Sequence, residues 1–176
     1  MSVGVIFVAG IYGVGKSTLC RKLSMNMGIP FYSAGDLISG VNGEKYGANK
    51  AVGDKDKNQQ ILVSAMDLLL KQQPHIVLAG HFCIFTADNS IELLPRSVFH
   101  NLHIETIILL EAEASVIQAN LQYRDNKQYS LATLQELQAR EREVAYSIAA
   151  ELSCKLVIHN MEFTDTDVES CMRMLK

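Results

Sequence analysis

The chain has 176 residues, 48% of them hydrophobic, with a net charge of −3 at neutral pH and a pI near 5.9. That length suits one hydrophobic core, so a single domain over residues 1–176 is expected. The acidic balance offers no general basic field, which argues against nucleic acid as a partner. Four cysteines lie far apart, without a C-x-x-C pair or clustered histidines. Zinc sites and disulfide frameworks are therefore not expected, and reduced thiols in a cytoplasmic setting are.

The first element is an apolar run, Val3 to Ala9, too short to span a bilayer and without a basic stretch before it. It reads as a buried strand. A helix follows from Ser17 to Met27, then a weak strand from Ile29 to Tyr32. A polar stretch, Ser39 to Asp56, precedes a helix over about Lys57 to Lys71 and a strand at Ile76 to Ala79. Thr106 to Leu110 and Leu156 to Ile158 complete a set of short β-branched runs, the pattern of parallel strands buried on both faces. Between and after them fall helical patterns at about Ala112 to Tyr123, Leu131 to Leu152 and Asp165 to Leu175. A second polar stretch spans Arg124 to Ser130. This alternation predicts an α/β fold in three layers, with helices about a five-stranded parallel sheet and a ligand beyond the strands' carboxyl ends. The polar stretches are expected to be substrate-facing: a flap over about 36–72 and a short lid over about 124–130.

Between the first strand and helix runs Gly10-Ile11-Tyr12-Gly13-Val14-Gly15-Lys16-Ser17, followed by Thr18, a match to G-x-x-x-x-G-K-[ST]. Glycines at these positions let successive backbone N–H groups converge on phosphate oxygens, and the helix N-terminus adds partial positive charge. Lys16 is expected to reach the β- and γ-phosphates of ATP, and the Ser17 hydroxyl to ligate Mg²⁺. Tyr12 can touch a base or the acceptor, or pack passively.

Further residues extend the pattern. They are "YSAGDL" at 32–37, "VGDKDKNQQ" at 52–60, "VLAGHFCIFTADNSIELLP" at 77–95, "ETIILLEA" at 105–112 and the long helix around 134–147. Taken in order, the chain resembles the nucleoside monophosphate kinases, and within them the archaeal-type adenylate kinases. The resemblance implies an ATP-dependent phosphotransferase with Mg²⁺ and a small phosphate-bearing acceptor. It places Gly35 and Asp36 at the acceptor, Asn160 where backbone cradles the base, and Arg142 on the transferring phosphate, with Arg140 as the alternate. Two departures stand out. Ala79-Gly80 replaces the usual Asp-Gly after the third strand, and Ser39 replaces an arginine that would meet the acceptor's phosphate. Asp36 and Glu111 are candidate magnesium-side carboxylates. Lys57, with Lys45, Lys50 and Lys55, is a candidate for the acceptor's phosphate.

His81 follows the third strand, where it either meets an acceptor or rests half-buried against backbone. Arg124 in the lid is expected to neutralise transition-state charge, its alternative being a solvated loop charge. Arg140 can also pair with Glu136 at i, i+4. Two further readings stay open. One is a kinase for a hydroxyl acceptor (a nucleoside, sugar or polynucleotide end) with Asp36 as base. The other is a nucleotide-binding switch with little turnover. Neither acceptor identity nor oligomeric state is written in the residues.

Overall fold

The computed structural model describes residues 4–42, 55–86, 88, 90–126 and 128–176. The expected strands form, in order along the chain, β1 (Gly4–Ala9), β2 (Phe31–Ser33), β3 (His75–Ala79), β6 (Ile104–Glu111) and β7 (Lys155–Asn160). They make one five-stranded sheet in the order β2-β3-β1-β6-β7, every neighbouring pair parallel. β1 is central and wholly buried; its register sets Phe7 against Leu78 on one side and Ile107 on the other. Burial on both faces explains why the strands read as unbroken apolar runs rather than alternating ones.

The helices are α1 (Lys16–Met27), α2 (Ala34–Asn42), α3 (Lys55–Gln72), α4 (Arg96–His100), α5 (Ala114–Asp125), α6 (Leu131–Leu152) and α7 (Thr166–Leu175). α1 packs on β1, β2 and β3 and against α7, while α6 packs on β6 and β7 and against α4 and α5. The chain runs from β1 outward to β2 and back to β3, then crosses β1 to β6 and β7. The sheet order thus reverses beside β1, and the crevice at such a switch lies beyond the strands' carboxyl ends.

Helices α2 and α4 and two short strands were not expected. Cys83–Phe85 (β4) and Ile91–Leu93 (β5) form a small antiparallel pair after β3. Its foot is held by Phe82, whose ring centroid lies 5.2 Å from that of Phe7 and 4.8 Å from that of Phe99. Ser39 to Asn42, read as loop, belongs to α2. Ser33 Oγ accepts from the Asp36 amide at 3.4 Å, and Ser39 Oγ donates to the Gly35 carbonyl at 2.8 Å, so local side-chain bonds support the helix through its glycine. The rest of the expected flap loop, with Lys45 and Lys50, lies outside the described residues, as does the side chain of Lys55.

Candidate active site

The loop between β1 and α1 is anchored through two apolar side chains. Ile11 is 1% exposed and Val14 0%, so both point into the core while the backbone between them stays at the surface. Gly10 and Gly15 hold φ of 146° and 99°. A Cβ on Gly10 would sit 2.8 Å from the Leu110 carbonyl oxygen, so the loop's first residue needs both the torsion and the space. Gly15 leads directly into α1, whose first turn presents Ser17 and Thr18 exposed. Lys16 Nζ donates to the carbonyls of Gly10 and Ile11 at 2.8 and 2.9 Å, which sets the ammonium over the loop's own concavity. From α5, Asn120 Nδ2 donates to the Gly13 carbonyl at 3.0 Å.

A cleft of about 630 Å³ opens from this loop. It is lined by Tyr12, Gly13, Gly15, Lys16, Ser17 and Thr18 on one wall and by Gly35, Asp36, Asn58, Gln59 and His81 on another, with Arg124 and Phe163 at its margins. Its floor is apolar, with Leu62, Ile84, Val98 and Phe99. Tyr12 and His81 meet with ring centroids 4.4 Å apart, and Phe85 lies between Tyr12 (6.0 Å) and Tyr129 (5.3 Å). Aromatic contacts therefore run from His81 through Tyr12 of the glycine loop and Phe85 to Tyr129, which precedes the cap of α6. Burial pushes the Tyr12 phenol up to about 12, against the lowering effect of a hydrogen bond with the Phe85 backbone, so it stays protonated at neutral pH.

The structure brings together Tyr12, Gly13, Gly15, Lys16, Ser17, Thr18, Gly35, Asp36, His81 and Arg124. Other expected site residues fall elsewhere. Gly10, Ile11 and Val14 shape the loop from behind rather than lining the cleft. Arg142 does not line it; its guanidinium makes a two-pronged pair with both carboxylate oxygens of Glu111, the Nε contact measuring 2.6 Å. That pairing occupies Glu111 as well, and Glu111 does not line the cleft either. Arg140 pairs with Glu143 at 3.2 Å rather than with Glu136. Asn160 ends β7, exposed and outside the cleft, while His159 turns inward to Asp167 at 2.8 Å. Instead Met161 and Phe163 approach the loop: a Cβ on Gly15 would lie 3.0 Å from Met161 Cε and 3.5 Å from Phe163 Cε1. Lys57 begins the turn of α3 whose next two residues, Asn58 and Gln59, line the cleft in its place.

The described residues of the expected lid are tied to their neighbours. Arg124 and Asp125 are the last residues of α5, joined side chain to side chain, the Nε contact at 2.8 Å. Tyr129 stacks on Phe85, and its carbonyl accepts from Gln118 Nε2 at 2.6 Å. Ser130 then caps α6, its Oγ accepting from the Thr133 amide at 3.0 Å.

Sequence reasoning missed Glu141, which is 1% exposed and accepts from the amides of Gly10, Phe82 and Cys83. The signal was present. Leu134, Leu137, Val144, Ala145 and Ile148 mark a helical stripe whose middle position, by the 3.6-residue period, is 141.

The family described as "AAA domain" matches residues 9–138. Among curated proteins, a gluconokinase of Arabidopsis thaliana is 29% identical over 174 residues, covering 89% of each chain. A cytidylate kinase of Methanosphaera stadtmanae is 26% identical over 167 residues, covering 93% of this chain and 84% of its own. Among solved structures, shikimate kinase from Bacteroides thetaiotaomicron superposes with a TM-score of 0.61 at 16% identity, over 99% of this chain and 96% of that one. A gluconokinase from Sinorhizobium meliloti gives 0.59 at 18% identity, over 98% and 91%.

Proposed function

We propose, from the premise that the chain belongs to the AAA-domain family, that it is an ATP-dependent phosphotransferase acting on a small acceptor. One observation carries the reading. The phosphate-binding loop with Lys16, Ser17 and Thr18 shares a single cleft with Asp36, His81 and Arg124, so donor and acceptor can meet without a domain crossing. The relatives named gluconokinase and cytidylate kinase support transfer to a small molecule. Among the described residues no helix is long and apolar enough to cross a membrane, which is compatible with a cytoplasmic enzyme.

Within this reading, the loop amides and Lys16 hold the triphosphate. Arg124 leaves Asp125 to meet the charge that develops on the transferring group. The residues suit Mg²⁺, a hard cation that prefers one or two protein oxygens together with phosphates and water. Ser17 offers an exposed hydroxyl in the first turn of α1, and Asp36 an exposed carboxylate in the same cleft. When bound, Mg²⁺ would supply charge neutralisation on the phosphates. Phe163 and Met161, beside Gly15, are placed to cover the nucleotide's base.

The first acceptor class is a nucleoside monophosphate, as the likeness to adenylate kinases suggests. A second reading, a hydroxyl acceptor, is favoured by Asp36. Its carboxylate lies in the acceptor wall, and Arg124 is the only arginine among the described residues that lines the cleft. A hydroxyl needs a base, whereas an acceptor phosphate is already anionic. Coupled assays with Mg-ATP across nucleoside monophosphates, nucleosides and sugars test the proposal, with Asp36→Asn run beside the wild type. Loss of turnover with retained acceptor binding and unchanged Mg²⁺ dependence assigns Asp36 as base. Purified protein that transfers phosphate to no acceptor in the panel overturns the phosphotransferase reading.

A further inference from the structure

Helix α6 carries a carboxylate in the middle of its buried stripe. Glu141 lies on the same face as Leu134, Leu137, Ala145 and Ile148, each 0% exposed. Burying a carboxylate is costly unless hydrogen bonds replace its water. Here both oxygens are met by backbone N–H groups. The Gly10 amide donates to Oε1 at 3.2 Å, the Phe82 amide to Oε1 and Oε2 at 2.9 and 3.0 Å, and the Cys83 amide to Oε2 at 2.8 Å. Burial raises the carboxyl above its ordinary range. The Phe82 amide, the nearby Lys16 ammonium and the other two amides oppose that rise.

The three amides belong to two segments. Gly10 opens the phosphate-binding loop, and Phe82 and Cys83 open the turn after β3. The last rung between the parent strands is the Gly80 amide on the Val8 carbonyl, at 3.0 Å. Past that rung the segments meet through Glu141 and through the ring contact of Tyr12 with His81. Each segment then delivers a cleft group: Lys16 from the loop, His81 from the residue just before Phe82. The helix that bears Glu141 begins at Leu131 after its Ser130 cap, a few residues past Arg124 at the end of α5.

We propose that Glu141 is a positioning residue for phosphoryl transfer: one buried side chain fixes the donor loop, the acceptor turn and the helix behind the lid in a single frame. This rests on the phosphotransferase reading given above. The physical need is distance. Transfer proceeds only when the reacting atoms are held within about 3–3.5 Å and aligned, and a misplacement of ~1 Å costs ~100-fold. A shared carboxylate also links the two walls energetically. Ordering the loop with a triphosphate makes opening of the Phe82 and Cys83 hydrogen bonds rarer.

The test uses Mg-ATP as the probe. Hydrogen exchange across 79–85 is measured in wild type with and without Mg-ATP, and Mg-ATP affinity is measured by calorimetry. Turnover is measured with the best acceptor of the panel. In wild type, Mg-ATP slows exchange at Phe82 and Cys83. In Glu141→Gln, which keeps the shape but turns an amide NH₂ toward backbone N–H groups, that remote protection is lost and kcat falls about 100-fold. Mg-ATP affinity falls much less. Glu141→Asp keeps the charge but shortens the reach, and it fails to restore kcat. Three results overturn the proposal: wild-type exchange at Phe82 and Cys83 unmoved by bound Mg-ATP; a folded Glu141→Gln that melts lower yet keeps both the protection and kcat; or a Glu141→Asp with wild-type kcat. The first result is read in wild type and stands even if neither variant folds. Wild type that binds no Mg-ATP, or transfers to no acceptor, would instead sink the phosphotransferase reading, a separate and visible outcome.

Discussion

Lys16 illustrates what a single residue does in this site. Its ammonium is fixed by the Gly10 and Ile11 carbonyls, so it is held over the loop before any ligand arrives. Removing it takes away charge from the cleft, two hydrogen bonds from the loop and a cation that steadies the buried Glu141 carboxylate. Lys16→Ala should lower phosphate transfer by ~100-fold or more. It should cost stability about 1–3 kcal/mol, the usual net value of two hydrogen bonds. Calorimetry with Mg-ATP and a urea titration check the two halves separately; unchanged Mg-ATP affinity would defeat the loop's assignment. Its place in the cleft was legible because the pattern that singles it out spans only eight neighbouring positions. Arg142 was misread for the opposite reason. Its partner Glu111 is 31 positions away, and only the packing of α6 along β6 makes them neighbours.

At the scale of elements, the segment from β7 to α7 depends on one buried carboxylate. Asp167 is 3% exposed and accepts from the Glu162 amide, the Thr164 amide and His159 Nε2, at 2.9, 2.9 and 2.8 Å. It sits in the first turn of α7, where negative charge also meets the helix N-terminus favourably. Burial alone would raise its carboxyl, but the hydrogen bonds from Glu162, His159 and Thr164 outweigh it and hold the group below its ordinary value. The sign follows. A depressed folded value means stability that is fully present above the ordinary Asp value of about 3.9 and lost as the pH falls through the folded value. Asp167→Asn should therefore cost about 1–3 kcal/mol at pH 7. The gap to wild type should close as the pH drops below about 4. Urea unfolding at pH 7 and in mild acid measures both, and a gap that widens in acid would refute the assignment. The bound segment carries Met161 and Phe163 to Gly15, so the variant should also bind Mg-ATP less tightly. The β4–β5 pair escaped the sequence because strands of three residues have too little length for a period to show. The Thr86 amide closes its turn onto the Ser90 carbonyl at 2.9 Å.

Over the whole molecule, the cysteines report how tightly the layers close. All four are free, and Cys20, Cys83 and Cys171 are 0%, 1% and 0% exposed. Burial pushes their thiols up to about 12, 12 and 11, so almost no thiolate exists at neutral pH. Cys154 is half-buried, and burial raises it too. Iodoacetamide at pH 8 should label Cys154 first. The other three should react only at the rate at which the fold opens, and together once urea passes the midpoint. Mass spectrometry of peptides taken over time checks this. Rapid native labelling of Cys20 would mean that α1 does not hold its place on the sheet.

The sequence by itself determined the alternation of strands and helices, the parallel five-stranded sheet and the phosphate-binding loop. Each of these depends on residues close together in the chain: apolar runs, helical periods, and glycines beside Lys16 and Ser17. Only the tertiary structure decided which distant groups complete the site. Asn58, Gln59, Asn120 and Phe163 enter the cleft or support its loop from two different helices and a turn, and no spacing along the chain encodes that meeting. Glu141 shows the boundary most clearly. The helical stripe announces that position 141 is buried, but not what a buried carboxylate would bind. Its partners are backbone amides at Gly10, Phe82 and Cys83, and a backbone N–H looks the same in every residue but proline. Only folding brings those three to one side chain.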